Sequence, residues 1–209
     1  MKTVLCYGDS NTYGYDPSMG RGSRYPFEKR WTSVLAEMLG PEYCVLAEGL
    51  NGRTTAFDRP GFPWKNGLGP LAAIMGSHKP LDYIVFMLGT NDCNVEMGLS
   101  AEEIARGMEW LVITAREMSM VQQERVPEII VVAPAPISGD ISMSPFYGEI
   151  DASSAAKSAA LAGLYEDIAV KYGCKFVNAD GCEVSSDCEH LTELGHRQLA
   201  ALIANVVSY

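Results

Sequence analysis

The chain has 209 residues, 47% hydrophobic and 20% charged, with a net charge of -10. That size and balance suit one soluble domain spanning 1–209, with a core that needs no covalent staples. The acidic surplus leaves no basic patch to neutralise phosphates, so neither nucleic acid nor an anionic membrane surface is an expected partner.

Strand-like and helix-like segments alternate from the start. Residues 3–7 are β-formers ended by Gly8, and Met1-Lys2 leads straight into them. This run is too short for the apolar part of a signal peptide, and no small-residue cleavage site follows it, so a cytoplasmic protein is expected. Residues 30–39 carry apolar side chains at helical spacing and stop at Gly40-Pro41. Residues 43–47 read as a second strand, 68–77 as a helix, and 83–88 as a continuously apolar strand covered on both faces. Ser100 starts a long helix, with Glu103 completing a capping box. Residues 128–133 form a fourth strand, 155–172 an Ala-rich helix, and 175–178 a fifth strand. Residues 192–207 form the last helix, with Thr192 as N-cap. The pattern predicts an α/β fold of three layers, α/β/α, with a five-stranded parallel sheet and helices on both faces.

No run reaches the roughly 18 apolar residues of a membrane span. Of the six cysteines, Cys6 and Cys44 fall in apolar runs that read as central strands, so reduced thiols are expected. Three irregular stretches, 16–29, 57–66 and 138–154, are long for a compact domain and are candidate functional or contact loops.

In open parallel sheets the working groups gather beyond the carboxyl ends of the strands. Gly8-Asp9-Ser10-Asn11 follows the first strand, Glu48 to Thr55 the second, and Gly89-Thr90-Asn91-Asp92 the third. Asp187-Cys188-Glu189-His190 precedes the last helix. Acyl transfer needs a nucleophile, a base, a group that orients the base, and donors for an oxyanion. Ser10 offers a hydroxyl, His190 an imidazole, and Asp187 a carboxylate three residues before it. Asn91 offers an amide, and Gly52 a backbone N–H with no Cβ in the way. Each has a plain alternative: a helix cap at Ser10, an Asx-turn at Asn91, a turn glycine at Gly52, a surface ion pair at Asp187 and His190. Of the other histidines, His78 reads as a solvated helix C-cap and His196 as a structural residue inside the last helix.

Together the segments resemble the sequence blocks of the SGNH (GDSL-type) hydrolases. They read GDSN, GTND and DxxHL in family order, over nearly the whole chain. GDSNTYGY, RWTSVLAEMLG, EGLNGRTT, LDYIVFMLGTND and VVAPAPI are similar to the arylesterase/acyltransferase branch of that family. The resemblance implies a flavodoxin-like SGNH fold, with Ser10 as nucleophile, His190 as general base and Asp187 as its orienter. It also implies an oxyanion hole from the Ser10 and Gly52 N–H groups and the Asn91 side chain. Where the best-known member of the branch has Ala, this chain has Gly52, and a backbone donor is expected to tolerate either. The resemblance does not extend to 139–154.

The expected activity is a serine esterase cleaving short-chain, acetyl-type esters of small molecules, with transfer of the acyl group to alcohols as a second outcome. Asn11, Tyr13, Tyr15 and Phe146 are the candidate pocket walls. The alternative is a carbohydrate O-deacetylase with the same catalytic set. The branch resemblance implies a homo-oligomer, with Phe62, Pro63 and Trp64 as contact residues. No cofactor is expected: the chain has neither G-x-G-x-x-G after the first strand nor a P-loop. No metal is expected either, because Cys174, Cys182, Cys188 and His190 lack paired zinc-ligand spacing.

Overall fold

The computed structural model describes residues 1–20 and 22–207. Arg21, which falls in the first irregular stretch, and residues 208–209 lie outside the described residues. Five strands, β1 (Lys2–Gly8), β2 (Tyr43–Gly49), β3 (Tyr83–Met87), β4 (Glu128–Ala133) and β5 (Lys175–Asn178), form one sheet in the order β2-β1-β3-β4-β5. All pairs are parallel. This is the doubly wound order, in which the connections reverse direction between β1 and β3 and open a crevice beyond their carboxyl ends.

Side chains alternate across the sheet and divide the core in two. On one face Leu5, Tyr7, Ile84 and Phe86 pack with α3 (Leu68–His78), α4 (Ala101–Gln123) and α5 (Ala152–Tyr172). On the other, Val4, Cys6, Val85 and Val132 pack with α2 (Trp31–Leu39) and α6 (Glu193–Val207), whose Trp31, Leu35, Leu199 and Ile203 are buried. Fully burying one such side chain contributes about 1.5–3 kcal/mol. A four-residue helix, α1 (Ser10–Tyr13), follows β1.

The expected elements are present, with local differences that have physical causes. The Ser100–Glu103 capping box forms, with bonds of 2.8 and 3.2 Å, and the Thr192 hydroxyl accepts the Gly195 N–H at 3.1 Å. α5 starts three residues early because Asp151 caps it, accepting the N–H groups of Ser153 and Ser154 at 2.8 and 3.0 Å. The second strand is an edge strand and not a central one, so Cys44 is only half-buried while Cys6 is fully enclosed. All six cysteines are free thiols. Among the described residues no helix is long and apolar enough to cross a membrane.

Candidate active site

The chemistry-bearing segments meet in the crevice. β1 ends at Gly8, where a Cβ would collide with the Met87 carbonyl oxygen at 2.8 Å, so only glycine lets β1 and β3 run this close. Asp9 then caps α1 by accepting the Asn11 N–H at 3.0 Å. Ser10 becomes the first residue of the helix, where a backbone N–H has no intrahelical partner. Its hydroxyl lies 2.9 Å from His190 Nε2.

His190 Nδ1 is 2.7 Å from Asp187 Oδ2. The other carboxylate oxygen, Oδ1, accepts from the His190 N–H at 3.0 Å, the Glu189 N–H at 3.2 Å and the Ser185 hydroxyl at 2.7 Å. The carboxylate therefore fixes both the ring and the turn that carries it. Burial pushes Asp187 up, but the hydrogen bonds and charge of His190 outweigh it and hold the carboxyl below its ordinary range. At His190 burial opposes the charged ring. The Asp187 hydrogen bond and the carboxylates of Glu189, Asp187 and Asp9 overcome it, so the imidazole lies above its ordinary value. That is a base ready to take a proton from Ser10. The 138–154 stretch props this turn from below: Ser144 donates to the Asp187 carbonyl at 2.6 Å, and the Ser138 N–H to the Cys188 carbonyl at 3.0 Å.

The second and third strand ends supply the donors. Gly52 stands in a turn with φ +78°. A Cβ there would lie 2.6 Å from Lys65 Nζ. The left-handed backbone opposes the expectation that alanine would serve equally well at this position, while the lysine tip can swing aside. The Asn91 amide donates to the Arg53 carbonyl at 3.1 Å and reaches Asp9 Oδ2 at 3.4 Å, which aims it across the crevice.

Two buried residues hold these donors, and the strand-end pattern had not singled them out. Arg53 is 5% exposed; it donates to the Gly8 and Glu48 carbonyls and lies 4.2 Å above the Tyr7 ring, clamping the ends of β1 and β2. Asp92 is fully buried and accepts the Thr55 N–H at 2.9 Å and its hydroxyl at 2.6 Å, tying the loops after β2 and β3 together. Burial pushes Asp92 up to about 7 and Asp9 to about 6. Glu189, half-buried and also not singled out, lines the pocket beside His190.

The pocket encloses about 510 Å³, and Ser10, Gly52, Asn91 and His190 open on it. Tyr15 and Phe146 are among its walls, their rings 4.4 and 5.7 Å from the His190 ring. Asn11 and Tyr13 are not. Asn11 turns to the segment under His190, donating to the Glu189 carbonyl at 3.1 Å and accepting the Leu191 N–H at 2.8 Å. The Tyr13 ring stacks on Arg24 at 4.1 Å. The second loop adds Arg59, which pairs with Glu96 and Glu149, and Lys65 over the Phe62 ring at 4.7 Å. His196 is buried and accepts the Trp31 N–H at 3.3 Å, the structural role expected of it. His78 ends α3 and is partly exposed, as expected, and it also bonds Glu48 at 2.8 Å. Among the described residues no cluster of three or more His, Cys, Asp or Glu side chains is placed to hold a metal ion.

A hydroxyl, an imidazole and a carboxylate in one hydrogen-bonded chain, beside amide donors at the switch point of a doubly wound sheet, define the arrangement of an SGNH-type hydrolase. Residues 6–198 match the GDSL-like lipase/acylhydrolase family, and the chain belongs to it. Among solved structures it is similar to a carbohydrate acetylesterase from Sinorhizobium meliloti, at 34% identity and TM-score 0.91, covering 100% of this chain and 99% of that one. A second carbohydrate acetylesterase family member from the same organism gives 39% identity and TM-score 0.91, with 99% and 97% covered. The aryl esterase of M. smegmatis gives 32% identity and TM-score 0.90, with 100% and 99% covered. No curated protein matches the chain. Family and neighbours together make the chain a carboxylic-ester hydrolase.

Proposed function

We propose that the enzyme cleaves short-chain, acetyl-type esters through an acyl-enzyme on Ser10. The observation that carries this is the unbroken chain from Ser10 through His190 to Asp187, with bonds of 2.9 and 2.7 Å. Ser10 Oγ attacks the ester carbonyl carbon while His190 Nε2 takes its proton. The charge on the carbonyl oxygen is met by the N–H groups of Ser10 and Gly52 and by the Asn91 amide. The tetrahedral adduct collapses, and His190 hands the proton to the departing alkoxide. Water, activated by the same imidazole, then releases the acid; an alcohol in its place gives ester transfer. Tyr15 and Phe146 narrow the pocket on which Ser10 opens, which favours a small acyl group. A p-nitrophenyl ester series is expected to peak at acetate, and a preference for octanoate would refute the size assignment. Ser10→Ala is expected to lose nearly all activity while folding normally.

The second reading is a carbohydrate O-deacetylase. It is favoured by the polar walls, where Arg59, Lys65, Asn94 and Glu149 line the same pocket, and by the carbohydrate acetylesterases among the similar structures. Acetylated sugars assayed beside aryl acetates separate the two. Phe62 and Trp64, 42% and 64% exposed near the pocket mouth, support self-association through this loop. A monomer in sedimentation would remove that idea.

A further inference from the structure

The pocket wall contains an acid that neither gives nor takes a proton in the ester chemistry. Glu189 is fixed through its backbone: its N–H donates to Asp187 Oδ1 at 3.2 Å, and its carbonyl accepts from Asn11 at 3.1 Å. Its side chain lines the pocket and is only 12% exposed. No donor among the described residues hydrogen-bonds that carboxyl. The His190 Nδ1 atom lies 3.8 Å away, and Asp187 already holds that nitrogen at 2.7 Å. A carboxyl that has no protein donor and faces the pocket can take its hydrogen bond only from what occupies the pocket. Two further acceptors belong to residues lining the pocket. The side-chain oxygens of Asn51 and Asn94 are buried without a donor.

The identity of the missing donor follows from the neighbours. Arg59 and Lys65 line the same pocket, Arg59 already paired with Glu96 and Glu149, and a cationic substrate group could not accept a hydrogen bond from the lysine. A neutral hydroxyl can donate to the carboxyl, and its oxygen can also accept from the lysine. The position follows from the reaction. His190 Nε2 delivers its proton to the leaving oxygen, so the alcohol half departs on the His190 side. Glu189 adjoins His190, whereas Gly52 and Asn91 hold the carbonyl oxygen.

We propose that the Glu189 carboxyl accepts a hydrogen bond from a hydroxyl of the substrate's alcohol half, and thereby selects esters of polyhydroxylated alcohols. This rests on the acyl-enzyme reading above. Burial pushes the carboxyl up to about 7, so the test is run at pH 8, where it is ionised. Glycerol monoacetate and n-propyl acetate share one carbon skeleton and differ only in hydroxyls. The ratio of their kcat/KM values is the readout, because a purely structural role would move both together. Glu189→Leu is expected to lower that ratio roughly 10- to 100-fold, the loss of a charge-assisted hydrogen bond. Glu189→Gln keeps an acceptor without the charge and is expected to lower it about 3- to 10-fold. An unchanged ratio, or an equal loss on both esters, overturns the proposal; if Glu189→Leu does not fold, the Gln ratio decides. Ser10→Ala separates the two levels. Cleavage that survives it sinks the acyl-enzyme reading and this inference together. Abolished cleavage with an unmoved Glu189 ratio sinks this inference alone.

Discussion

Replacing Asp187 by asparagine tests the triad through a proton position and without removing bulk. The two carboxylate oxygens have unequal duties. Oδ1 receives three donors, the His190 and Glu189 N–H groups and the Ser185 hydroxyl, while Oδ2 meets only His190 Nδ1. An asparagine has one oxygen to place. Turning its NH₂ toward the three donors would leave buried hydrogens facing one another, at about 1–3 kcal/mol for each unsatisfied group. The oxygen therefore takes the Oδ1 side, and the NH₂ faces His190 Nδ1. That nitrogen must then accept, so the ring proton moves to Nε2 and points at Ser10. A protonated Nε2 cannot take the serine proton. Enforcing the wrong tautomer in this way typically lowers kcat roughly 10⁴-fold, about 5 kcal/mol of barrier. Initial rates with p-nitrophenyl acetate, with circular dichroism and Tm measured on the same sample, give the comparison. A folded Asp187→Asn enzyme within tenfold of wild type would refute the reasoning.

Asn91→Ala is expected to fold and to lose roughly 10²–10³ in kcat, the usual effect of removing one oxyanion donor; a change confined to KM would contradict that role. Gly52→Ala forces a Cβ into a φ of +78° and against Lys65. It should cost about 1–2 kcal/mol in denaturant unfolding and lower kcat/KM, with Lys65→Ala relieving part of the second effect. His190 must be neutral to act and lies above its ordinary value. The acid limb of kcat/KM against pH should therefore have its midpoint above about 6.5, and a midpoint below 6 would count against His190 as the base. Asp92 is pushed up to about 7 in the folded chain. The folded state then holds a proton that the unfolded chain has released, so this group's contribution to stability falls as pH rises toward 7 and levels off above it. Asp92→Asn should make the slope of Tm against pH between 5 and 7 more positive than in wild type; an unchanged slope would show that Asp92 does not titrate in that window.

What could be read from the sequence was what short-range pattern encodes. The strands β4 and β5 fall where periodicity puts them because Glu128–Ala133 and Lys175–Asn178 are bounded by turn residues. The start of α5 was missed because its cap, Asp151, sits in a stretch whose Gly, Ser and Pro content reads as loop. At the site, residue type pointed to Ser10, Asn91, Asp187 and His190, since few side chains can do acyl-transfer chemistry and each stands at a strand end or a pre-helix turn. Direction was another matter. Asn11 is one residue beyond Ser10, and one step along a helix turns a side chain by about 100°. Its amide therefore serves the loop beneath His190 instead of the pocket. Arg53 and Asp92 act on partners 37 to 45 residues away, and a local pattern cannot say that a charge will be enclosed by another strand's carbonyls. Glu189 shows the same limit most clearly. In the sequence it is a spacer between Asp187 and His190. Asn11, 178 residues away, helps pin the turn that presents its carboxyl to the pocket. A spacer position in a catalytic motif is thus fixed in space by distant partners, and here its carboxylate both faces the pocket and helps hold His190 above its ordinary value.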